Sequence, residues 1–216
     1  MIAEPWVDRP WADTHKGATA VIMGNGLSLK DVPKELLEKY TTFAANHIYV
    51  MPFQPTYFVC VDSRVLEHYP RKIYGTAQRA KITFLNDGHK DAALDGVKEL
   101  YQLTNVYLCN KDTVKIPAEF WWTGGTAIYM ALKIAYVMGF GTAILVGCDR
   151  DKEWKHFSNE YPGEYTSPET MRRQVYHFEI AEEAYRKDKR RIVNLSPPSV
   201  LDKYIERGRI EGFIDT

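Results

Sequence analysis

Three cysteines in 216 residues, no excess of either charge and no long apolar run are the chain's main shortages, and each removes a class of protein. Cys60, Cys109 and Cys148 are odd in number, far apart and without a C-x-x-C pair, so neither a disulfide framework nor a zinc site is expected. Each lies in an apolar stretch, as a buried, inert thiol does. Basic and acidic side chains both number 28, so no global positive field exists to hold long nucleic acid. No window approaches about 18 consecutive apolar residues, so no membrane span is expected. The opening Met-Ile-Ala-Glu-Pro-Trp lacks the basic and apolar regions of a signal peptide, which points to the cytoplasm. Internal repeats and low-complexity linkers are also lacking. What is present is ordinary for a globular domain, with 45% hydrophobic and 26% charged residues.

The length suits one domain better than two. Residues 1–17, rich in Pro, Trp and Asp, read as an irregular lead-in to a single domain over 18–216. Ala18–Met23 is a short apolar strand ending at Gly24. A helix follows to about Tyr40, with Asp31 as its cap and Pro33 in its first turn. Strands at 42–45 and 57–61, a short helix at 64–69, a strand at 82–85, a helix at 91–103 and a strand at 105–108 come next. In the helix over 125–138, Ile128, Ala131, Leu132, Ala135 and Met138 make one apolar face. A strand at 143–146 precedes a polar, aromatic loop, a lid over about 150–167. Ser167 and Pro168 open a long helix to about Lys187, before a strand at 192–195 and a helix at 200–207. Short apolar strands alternating with helices predict an α/β fold, a doubly wound, mostly parallel Rossmann-like sheet with helices on both faces.

Ligands of such sheets bind beyond the carboxyl ends of the strands, where strand order reverses. The first strand runs into Gly24-Asn25-Gly26-Leu27-Ser28, a turn whose backbone N–H groups and Ser28 hydroxyl are suited to phosphate, or simply a tight turn. Asn46 follows the second strand, to read a base or ribose edge or to end the strand. Asp62 and Ser63 follow the third, where a carboxylate binds a metal, accepts from a ribose or caps a helix. Thr123, Gly124, Gly125 and Thr126 open the best helix, whose amino end attracts anions. Gly147, Cys148 and Asp149 close the strand at 143–146, and an acid after a buried strand makes Asp149 the strongest single candidate. Beyond it Arg150, Lys152 and Lys155 suit a phosphorylated ligand, and His156 suits general acid–base work.

Taken in order, G-N-G-L-S-L, F-A-A-N-H-I-Y, P-T-Y-F-V-C-V-D, T-G-G-T-A and V-G-C-D followed by a histidine resemble a Rossmann-like superfamily with two branches. One holds 6-hydroxymethylpterin diphosphokinase-like proteins, including phage-encoded relatives; the other holds family 42 bacterial sialyltransferases, which use CMP-sialic acid. The similarity spans about residues 18–200. It implies nucleotide contacts at Gly24–Leu29, Asn46 and Thr123–Gly125 and places Gly147–Asp149 next to the sugar or diphosphate, with Asp62 closer to the diphosphokinase-like branch. Sialyltransferases place a catalytic histidine shortly before the penultimate helix, where this chain reads Gly163-Glu164-Tyr165-Thr166-Ser167. His156 is the nearest histidine, and Tyr161 and Tyr165 correspond only loosely to the phosphate-binding lid tyrosines.

The implied function is that of a nucleotide-dependent transferase acting between a small nucleotide or nucleotide sugar and a small-molecule or glycan acceptor. Asp149 and His156 are the expected catalytic pair. Glycosyl transfer leads; diphosphate transfer from ATP to a hydroxymethylpterin-like acceptor is the rival, with magnesium on Asp62 or Asp149. A non-catalytic, phage-type nucleotide-binding protein is the third reading, and the oligomeric state stays open.

Overall fold

A computed structural model of the protein describes residues 10–89, 96–109, 126–149 and 167–214. In chain order these form β1 (Thr19–Met23), α1 (Lys34–Lys39), β2 (Thr41–Ala45), β3 (Tyr57–Cys60), α2 (Ser63–His68), α3 (Pro70–Arg79) and β4 (Ile82–Asn86). Then come α4 (Val97–Tyr101), β5 (Val106–Cys109), α5 (Ala127–Val137), β6 (Thr142–Val146), α6 (Pro168–Lys187), β7 (Arg191–Asn194), β8 (Glu206–Arg207) and α7 (Glu211–Ile214). The eight strands make one sheet in the order β5-β4-β3-β2-β1-β6-β7-β8, and every pairing is parallel. The α/β, Rossmann-like class expected from the strand–helix alternation is the class found.

Strand alternation explains the layers. In β1, Ala20 and Ile22 face one core with α5 and with Phe178, Ala181 and Tyr185 of α6. Val21 and Met23 face the other, with Leu36 and Leu37 of α1, Leu66 of α2, Ile73 and Ala77 of α3 and Leu100 of α4. Both faces are thus covered, which is why β1 reads as an unbroken apolar run. α5 lies against β1, β2 and β3 on one side and α6 on another. Every residue from Ala127 to Tyr136 is consequently buried, Lys133 included. The expected single apolar face is a helix buried nearly all round.

Several boundaries differ from expectation, each for a local reason. Asp31 does not cap a helix: it ends a 3-10 turn at Leu27–Asp31, and α1 starts after Pro33 with no side-chain cap. Pro33 holds Val32 extended (φ −73°, ψ 124°), which separates the two turns. Of the helix expected over 91–103, α4 is described, preceded by a left-handed Gly96 (φ 79°); residues 90–95 lie outside the described residues. α3 and α7 were not anticipated. The expected helix over 200–207 is a 3-10 turn (Val200–Lys203) with a Ser199–Asp202 capping box, followed by β8. Ser167 caps α6 as expected, accepting from Thr170 N–H. The described part of the lead-in packs on the domain. Trp11 is buried against the Phe84 and Tyr107 rings. Asp13, His15 and Gly17 donate their N–H groups to the carbonyls of Val137, Met138 and Gly139, closing the end of α5.

Candidate functional site

The chain steps outward from β1 to β5 and then returns to place β6 on the other side of β1. The reversal of strand order therefore falls between β1 and β6, the crevice where ligands of open α/β sheets bind. Register pairs Met23 with both Val146 and Ala44, so the turns after β1, β2 and β6 leave the sheet side by side.

The β1 and β6 turns grip each other. Gly24 N–H donates to Val146 O and Gly26 N–H to Gly147 O, both at 2.8 Å. Asp149 Oδ2 accepts from Ser28 N–H at 2.8 Å, and Asp149 Oδ1 accepts from the Ser28 hydroxyl. The glycines follow from this closeness. A Cβ on Gly24 would stand 2.9 Å from the Gly147 carbonyl carbon, and one on Gly26 would stand 2.5 Å from Asp149 Oδ2. Gly147 itself is left-handed, at φ 61°. From the β7 side, Cys148 N–H donates to Ser196 Oγ at 2.8 Å, and Ser196 N–H donates to Asn194 Oδ1.

This arrangement corrects two expectations. Asp149, singled out as an acid with no evident structural partner, is in fact paired, since both its oxygens accept from Ser28. The N–H groups of Gly24, Gly26 and Ser28 do not cradle a phosphate, because all three already donate to protein oxygens. An ionised phosphate brought to Ser28 would also meet the Asp149 carboxylate, a repulsive pairing.

The opening lies instead in two amides. Asn25 and Asn46 each stand two residues past the registered pair Met23–Ala44. Each is only 8% exposed, and among the described residues no donor reaches the buried Asn25 Oδ1 and Asn46 Oδ1. Buried polar atoms are ordinarily paired, and one left unmade costs about 1–3 kcal/mol. Asn46 also adopts φ 47°, a left-handed conformation that asparagine tolerates better than most residues. Next to it His47 is wholly buried, its Nδ1 3.0 Å from Tyr49 Oη and its ring against Tyr69.

Other expected residues have local duties. Asp62 caps α2 by accepting from Arg64 N–H, and its carboxylate is 3.0 Å from the Arg64 guanidinium. Ser63 is the first residue of α2. Thr126 caps α5, its hydroxyl accepting from Tyr129 N–H. Asp62 and Asp149 thus both carry protein hydrogen bonds on their carboxylates. Among the described residues, no three His, Cys, Asp or Glu side chains gather as a metal site. Thr123, Gly124, Gly125, Arg150, Lys152, Lys155, His156, Tyr161 and Tyr165 lie outside the described residues, as does most of the expected lid. Ser196 was missed by sequence reasoning, although a polar residue just past a strand's carboxyl end is the same signal that marked Asn46.

Among the described residues no helix is long and apolar enough to cross a membrane. Comparison with protein-family models and with curated proteins finds no match to this chain.

Proposed function

We propose that the crevice at the ends of β1, β2 and β6 takes a small nucleotide, and that the protein transfers a sugar from a nucleotide sugar. The observation that carries this reading is the pair of amide oxygens on Asn25 and Asn46 that no described residue donates to, at matching positions beside the strand-order reversal. Both are acceptors, so they suit a ligand face that donates: ribose hydroxyls or an exocyclic base amino group. The terminal torsion of an amide is broad, and its rotation turns either oxygen toward such a ligand. The phosphate then belongs away from Asp149, toward the amino end of α5, where the helix dipole favours an anion.

In the transfer, an acceptor hydroxyl attacks the anomeric carbon, the new carbon–oxygen bond forms, and the bond to the phosphate breaks. His156 is the residue proposed to take the hydroxyl proton, on its place in the sequence after Gly147-Cys148-Asp149. The engagement of Asp62 by Arg64 and of Asp149 by Ser28 favours this route over diphosphate transfer, which needs an acid for its cation. The test is product analysis with the whole protein. CMP released from CMP-sialic acid in the presence of EDTA supports the reading; AMP formed from ATP only with magnesium contradicts it.

A further inference from the structure

Resting on that nucleotide reading, we infer that Asp149 is a positioning residue that latches the β6 turn to the β1 turn through Ser28 and so holds the Asn25 amide at the crevice. Both oxygens of Asp149 are directed at Ser28, one at its N–H and one at its hydroxyl, so this side chain ties the two turns together. Gly26 makes the approach possible, since any Cβ there would collide with the Asp149 side chain. Asn25 lies between two residues, Gly24 and Gly26, whose N–H groups are fastened to Val146 and Gly147. The β6 turn is fixed in its own right by Cys148 N–H on Ser196 Oγ. Asn25 is thereby suspended on a turn pinned at both sides, with Asp149 as the side-chain bolt.

The latch has a chemical signature that separates it from catalysis. An asparagine at 149 satisfies the same two contacts: its amide oxygen accepts the Ser28 N–H, and its amide nitrogen donates to Ser28 Oγ. A general base or a cation ligand does not survive that exchange; a latch does.

The experiment compares the whole protein with Asp149→Asn, Asp149→Ala, Ser28→Ala and the Asp149→Ala/Ser28→Ala double variant. Ligand-free hydrogen exchange follows the amides of residues 24–29, and CMP and ATP are titrated separately. Asp149→Ala is expected to speed exchange at Ser28 about tenfold or more and to weaken nucleotide binding by a similar factor. Asp149→Asn is expected to stay within about threefold of wild type in both readouts, with an unchanged pH profile of binding. Adding Ser28→Ala to Asp149→Ala is expected to cost less than about twofold more, because the two share one interaction. If Asp149→Ala does not fold, Ser28→Ala alone carries the test, expected to speed exchange and weaken binding in the same direction. Asp149→Asn as damaging as Asp149→Ala would overturn the proposal, as would unchanged exchange and affinity in folded Asp149→Ala. A wild type that binds neither CMP nor ATP is titrated with CDP, UDP and GDP; binding none of the five would overturn the nucleotide reading, while the exchange data still judge the latch.

Discussion

Asp149 and Ser28, 121 residues apart in sequence, are joined by two hydrogen bonds across the boundary between β6 and β1. Those bonds bring the two turns so close that the glycines between them have no room for a side chain. Gly26→Ala and Gly24→Ala are therefore expected to destabilise the protein by about 1–3 kcal/mol each, through forced displacement of the facing turn. Gly212→Ala, where no described residue outside its own helix and chain neighbours lies within 4 Å of the added carbon, is expected to change stability by less than about 1 kcal/mol. Urea unfolding of the three variants checks the contrast.

Asn46 separates backbone from side chain. At φ 47°, Asn46→Ala is expected to cost about 1–2 kcal/mol of stability, whereas Asn46→Gly relieves the strain. Both remove the amide, so both are expected to lose nucleotide binding. Unfolding curves and titrations on the same samples distinguish the two effects.

Burial raises the thiols of Cys60 and Cys109 well above the ordinary range, and Cys148 is buried with its Sγ–H directed at Val146 O. All three are expected to resist a thiol reagent at pH 8 in the folded protein and to react fully after denaturation. Fast native labelling of any one would contradict its placement.

Lys133 is wholly buried in α5, and burial lowers its pKa from 10.5 to about 8. Between those values the folded lysine is neutral while the unfolded one still holds its proton. The unfolded state then binds more protons, so stability rises with pH across that window, by a total of order 3 kcal/mol from this residue. Below pH 8 both states are charged and the slope vanishes. Lys133→Met is expected to flatten the difference between unfolding curves at pH 8 and pH 10, a comparison in which other titrating groups cancel.

Much of the frame was legible in the sequence because strands buried on both faces read as apolar runs, as at Val21–Met23 and Ile144–Val146. Asn46 and Gly147 were legible as polar or glycine residues at strand ends. The partnership of Asp149 with Ser28 was not, since nothing local to either residue announces a contact made by register between distant strands. For the same reason Gly24 and Gly26 read as either a phosphate turn or a tight turn, when a neighbouring turn occupies the space their missing side chains leave. α3 was not anticipated, although Pro70 is well suited to a helix's first position and the helix runs on through Gly75. The difference between one apolar face and full burial in α5 lies in the packing of α6, which only tertiary structure supplies.

The central claim, that a small nucleotide binds over Asn25 and Asn46, is tested most directly by thermal-shift measurements on wild type and Asn46→Gly. The panel is CMP, CDP, UDP, GDP and ATP, each with and without magnesium. The account predicts that at least one nucleotide raises the wild-type melting temperature, a ligand at about 100 times its dissociation constant adding about 2.7 kcal/mol, and that Asn46→Gly loses the shift. No shift with any nucleotide, or an equal shift in both proteins, would contradict it.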